Sequence, residues 1–124
     1  MSGVKYSRIK LEREQKARQE AQNRINQLTA NIRAFQQQIN TLLAAIPHGV
    51  RDSFPQEIRR VLAWQGVTIP ALSSEMNSTQ LNAITDRLQQ QQQEGKACLT
   101  LSVEVKEKRR EAKARELAGR LEVL

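Results

Sequence analysis

The sequence predicts a mainly α protein: a long N-terminal coiled-coil helix, a small helical head, one short strand and a C-terminal helix. Three observations predict it. Ile25, Ile32, Ile39 and Ile46 recur every seven residues, with Ala21, Leu28, Phe35 and Leu42 interleaved at spacings of three and four. Only 3% of residues are aromatic, thin for a compact core, while helix formers and glutamine abound. Residues 98–105 (CLTLSVEV) leave the helical period and alternate apolar with polar side chains.

The first element runs over about residues 5–46. Its lead-in (KYSRIKLEREQKARQE) carries Glu12–Lys16, Glu14–Arg18 and Glu20–Arg24 four residues apart, glutamate first. Each such pair supports a helix by a few tenths of a kcal/mol. The seam frame, continued backwards, meets Leu11 at one position but Ser7 and Glu14 at the other, so the seam weakens before Ala21. From Ala21 to Ile46 it is unbroken. β-Branched residues at a with mostly Leu-type residues at d suit a parallel two-stranded coil. A homodimer through Ala21, Ile25, Leu28, Ile32, Phe35, Ile39, Leu42 and Ile46 is therefore expected. The alternative is packing of this helix against later helices of its own chain. Pro47 stops the helix, and His48-Gly49 open a turn.

A helical head follows over residues 47–97. Its first helix is predicted from Ser53, with Ser53 as N-cap, Gln56 closing a capping box and Pro55 in the first turn. Phe54, Ile58, Val61 and Leu62 give it an apolar face, and Gly66 ends it. Residues 67–74, with Pro70, read as a loop covering Ile69 and Leu72. The next helix has the sharpest local signal: Asn77 as N-cap, Gln80 three residues on, and Met76 and Leu81 as a hydrophobic staple. Leu81, Ile84 and Leu88 face inward, Gln89–Gln93 read as a solvated surface, and Gly95 is the predicted stop. With Leu43 and Ile46, these apolar residues form the predicted core.

The third segment spans residues 98–124. Leu99, Leu101, Val103 and Val105 alternate with Thr100, Ser102 and Glu104, which predicts a half-buried strand. A lone strand must pair with a copy of itself or with another protein, so these four residues are a candidate partner interface. Trp64, the single tryptophan, is a second candidate anchor. The charged remainder (KEKRREAKARELAGRLE) is predicted to be a last helix.

The chain carries a net charge of +7 over 124 residues. Lys106, Lys108, Arg109, Arg110 and Lys113 are the candidate anion contacts, since a basic helix can track phosphates. Acidic residues interleave, however, with seven basic against five acidic side chains over residues 98–124. No aromatics are interleaved to stack bases. Nucleic-acid binding is thus an alternative that charge patterning does not favour.

Chemistry-bearing motifs are absent from the sequence. One histidine and one cysteine cannot supply a four-ligand zinc site. No glycine-rich phosphate loop occurs. The carboxylates lie on salt-bridged helical surfaces rather than in apolar pockets. No catalytic, cofactor or metal residues are expected. The lone Cys98 suits a reducing, cytoplasmic setting, and neither a secretory signal nor a membrane span is expected. The expected function is that of a non-enzymatic structural or adaptor protein, self-associating and joined to a further protein partner.

Overall fold

The computed structural model describes the backbone at 2–123 and the side chains at 7–108 and 117–119. Four helices follow in order: α1 (Ser2–Ala44), α2 (His48–Ser53), α3 (Pro55–Gln65) and α4 (Ser78–Val123). The long N-terminal helix is present, two residues shorter at its C-terminus than its apolar pattern suggested.

The predicted strand is not there. Leu99, Leu101, Val103 and Val105 lie on α4, and no strand occurs among the described residues. The residues that settle the period are the small ones between them. Cys98, Ser102 and Val105 are buried, a helical spacing of four and three, while Val103 is 38% exposed. Ser102 fits this position because its hydroxyl donates to the Cys98 carbonyl at 2.8 Å, one helical turn back. The apolar alternation there is incidental.

Gly95 is likewise no helix stop. It lies buried inside α4, so the predicted third helix, the strand and the last helix are one continuous element of 46 residues. Nor does Ser53 cap a helix. It is the last residue of α2, and its hydroxyl donates to the Gly49 carbonyl at 3.2 Å. The α3 helix begins instead at Pro55, whose missing N–H costs nothing in a first turn. Gly66 does end α3, accepting its role as C-cap. At the start of α4 the capping box is complete: Gln80 N–H donates to Asn77 Oδ1, and Asn77 N–H donates to Gln80 Oε1, each at 2.9 Å.

The chain divides into two compact units, to each of which α1 and α4 contribute. One comprises Met1–Arg33 with Thr68–Gln93. Here α1 and α4 run parallel. Ser78 donates its N–H and its hydroxyl to the Glu14 carboxylate at 2.7 and 2.8 Å, and Asn31 donates to Gln92 at 2.9 Å further along. Residue numbers of facing positions thus differ by 61 to 64. The connecting segment is fastened by Arg18, which donates to the Ser74 carbonyl at 2.7 Å. Ala21, Ile25, Leu28 and Ile32 on α1 and Leu81, Ile84, Thr85 and Leu88 on α4 are buried in this unit. Burial of each large aliphatic side chain stabilises by about 1.5–3 kcal/mol.

The other unit comprises Ala34–Val67 with Glu94–Leu124. Here α2 and α3 run antiparallel to α1: Arg51 donates to the Leu43 carbonyl, while Gln65 reaches the Gln36 carbonyl and Asn40 at 3.1 and 2.9 Å. The α3 helix also runs antiparallel to α4. Lys108 sits 5.2 Å over the Phe54 ring, whereas Arg60 pairs with Glu94 at 2.8 Å. Ile39, Leu43, Ile46, Ile58, Val61, Trp64, Cys98 and Val105 form its core. Two predicted core residues differ. Phe54 is half-buried and Leu62 is exposed.

Candidate protein-interaction site

The heptad seam of α1 is covered by the chain itself. Of the residues expected to face a second copy, Ala21, Ile25, Leu28, Ile32, Ile39 and Ile46 are buried within one chain, Ile32 completely. Phe35 and Leu42 are half-buried. Parallel pairing occurs, but in the first unit its second strand is α4. A matching seam on α4 escapes a reading of apolar periodicity. Its members Leu81, Leu88, Gly95 and Ser102 recur every seven residues, as do Ile84, Gln91, Cys98 and Val105. Gln91, Gly95 and Ser102 interrupt the apolar pattern, and apolar periodicity is the only heptad signal a sequence carries.

Trp64 is also enclosed within the chain, with 3% of its surface exposed. Its indole lies where a side chain on Gly95 would be. Of the residues expected on a strand edge, Val105 is buried, and Leu99 and Leu101 are half-buried on α4. Among the candidate anion contacts, Lys106 is half-buried, and Lys108 is exposed with its ammonium over Phe54. The side chains of Arg109, Arg110 and Lys113 lie outside the described residues.

Three of the described titratable groups that could serve acid–base or nucleophilic chemistry are shifted from their ordinary values. Hydrogen bonds from Ser78 hold the Glu14 carboxyl below the usual range, and Arg60 does the same for Glu94. A general acid needs the opposite shift. The Cys98 thiol is pushed up to about 11, mainly by burial and further by Glu94, whereas a nucleophilic thiol needs a depressed value. No group of three metal-binding side chains occurs among the described residues, and none of their helices is long and apolar enough to cross a membrane.

What the fold leaves open is a groove of about 700 Å³ between α2 and α3. The two helices are separated only by Phe54, whose non-helical backbone (φ −129°, ψ 57°) turns the chain between them. Pro55, Ile58, Arg59, Leu62 and Ala63 line the α3 wall at helical spacings of three and four. His48, Arg51 and Asp52 line the α2 wall. Leu62 is 50% exposed, although it follows the buried Val61 directly. The helix thus has two apolar faces: Val61 and Trp64 point into the core, and Leu62 points into the groove. A second groove, along α1, is lined by Ser7, Lys10, Leu11, Arg13, Glu14 and Ala17. Leu11 there is 65% exposed.

Comparison with protein-family models, with curated proteins and with solved structures finds no match for this chain. Its class is therefore defined by its own geometry, a mainly α protein built on two long helices.

Proposed function

We propose that this is a non-enzymatic structural or adaptor protein that presents helical surfaces to protein partners. The observation carrying this reading is the division of labour on α3. Its Val61–Trp64 face closes the core, while Leu62 stands uncovered in a groove beside Pro55 and Ala63. A groove of that kind suits a partner segment better than solvent. The downward-shifted carboxyls and the upward-shifted thiol accord with a role without acid–base or nucleophilic steps.

The homodimer that the heptads suggest meets a seam already covered within the chain. With the α1 seam buried in its own chain, a homodimer through that seam would require α1 to exchange between copies, as in domain swapping. The competing reading is a basic nucleic-acid-binding accessory protein, motivated by the +7 charge. One experiment separates them. The protein carrying photo-crosslinking residues in the α2–α3 and α1 grooves is irradiated in its native cell, and nucleic-acid retention is measured from low to moderate salt. The adaptor reading expects discrete protein crosslinks and weak retention without sequence preference. Tight retention with a steep salt slope and no protein crosslinks would replace it with the nucleic-acid reading.

A further inference from the structure

We propose that the groove between α2 and α3 is a docking site for an acidic amphipathic helix of a partner protein. The inference rests on the adaptor reading and names the chemistry of its partner. Three features of the groove point to such an occupant. Part of its lining is apolar: Ile58 is buried, Leu62 is 50% exposed, and Pro55 and Ala63 lie on the same helix. Its rim is basic, with Arg51 and Arg59 against the single carboxylate of Asp52. Those cations are also incompletely used. Arg59 is exposed and has no hydrogen-bond or ion-pair partner among the described residues. Arg51 donates through Nη2 to the Leu43 carbonyl, but its Nε is buried with no acceptor. The Arg51 Nε is shielded by the chain itself, so the cation open to a partner's carboxylate is the exposed Arg59, whose guanidinium can donate two parallel hydrogen bonds.

The spacing argues for a helix rather than an extended strand. The α3 wall presents Pro55, Ile58–Arg59 and Leu62–Ala63, an i, i+3/i+4, i+7/i+8 ridge. Such a ridge packs into the matching groove of another helix. The groove has no exposed sheet edge to which a strand could add. A second copy of this chain is a poorer occupant, because a chain of net charge +7 would bring like charge to a basic rim.

The test uses the full chain and two labelled model peptides. In one, leucines recur at spacings of three and four and glutamates fill the remaining positions. In the other, lysines replace the glutamates. The glutamate peptide is expected to bind in fluorescence anisotropy, and to shift the amide resonances of residues 48–63 selectively. The lysine peptide is expected not to bind. Leu62→Ser should weaken glutamate-peptide binding by about tenfold or more, with only a modest drop in the thermal melt, since half of the side chain is exposed. Arg59→Glu should invert the preference, losing the glutamate peptide and gaining the lysine one. Equal binding of both peptides, perturbations outside the groove, or failure of Arg59→Glu to alter the preference would overturn the proposal. So would a homodimer that Leu62→Ser dissociates, because the occupant would then be a second copy. If cellular crosslinks form only at the α1 groove, this docking site is wrong and the adaptor reading stands.

Discussion

The indole of Trp64 fills the space that any side chain on Gly95 would occupy. A Cβ built on Gly95 would overlap Cζ2, Cη2 and Cε2 of that ring, which is buried and cannot swing aside freely. Two effects therefore compete at position 95. Alanine favours a helix interior over glycine by about 1 kcal/mol. Overpacking a filled core costs about 1–3 kcal/mol. Gly95→Ala should destabilise the protein by up to about 2 kcal/mol in urea melts, the difference between the two effects. In a Trp64→Ala background the clash is gone and the same substitution should stabilise. An unchanged sign across the two backgrounds would mean that the indole does not rest on Gly95.

The seam residues predict how the fold fails. Ile32 is fully buried within the chain, so Ile32→Ala should cost about 2–5 kcal/mol. The melting temperature of the unaltered protein should not vary with its concentration, because one chain covers its own seam. A melting temperature that climbs with concentration would show that copies exchange helices.

Acid should loosen the start of α4. The Glu14 carboxyl is held below its ordinary value of 4.5, first by the Ser78 N–H and then by the Ser78 hydroxyl. Its folded value being the lower one, the stability it contributes is complete above the unfolded value. That stability is lost as pH falls through the folded value. Glu94, held down by Arg60, follows the same sign. Urea midpoints should decline on acidification below pH 4.5, and Glu14→Gln should flatten part of that decline while leaving the share due to Glu94.

Cys98 should be chemically quiet. It is wholly buried, and its thiol is pushed up to about 11. Labelling by a thiol reagent at pH 8 should wait on opening of the fold, so that the rate tracks stability across the variants above. Immediate labelling of the native protein would contradict the burial of α4 at this point.

Much of the architecture could be read from residues whose signal is local. The α1 seam is legible because seven-residue recurrence is unbroken from Ala21 to Ile46. The Asn77–Gln80 box and the Gly66 stop are legible because each involves neighbours in sequence. The stretch from Gly95 to Val105 is not, because its meaning depends on residues far away. Gly95 reads as a terminator until Trp64 is known to lie on it. Ser102 reads as the outward side of a strand until its hydroxyl is seen bonded within the helix. The α2–α3 groove was hidden for a related reason. Leu62 adjoins Val61 and passes for the same buried face, and only the packing of α3 separates the two. The glutamine run has the composition of a solvated surface, yet Gln92 is hydrogen-bonded to Asn31.

That last bond has a mechanical consequence. Two helices joined only by aliphatic side chains can slip past one another by one heptad, about 10 Å, and find nearly equivalent contacts. Slippage here would tear Gln92 from Asn31 and strip Ser78 of its carboxylate at the same time. The pair of polar fastenings works as a ratchet pawl at two points along the first unit. Within that unit, a one-heptad shift must break both fastenings together, so the aliphatic contacts alone do not set the register.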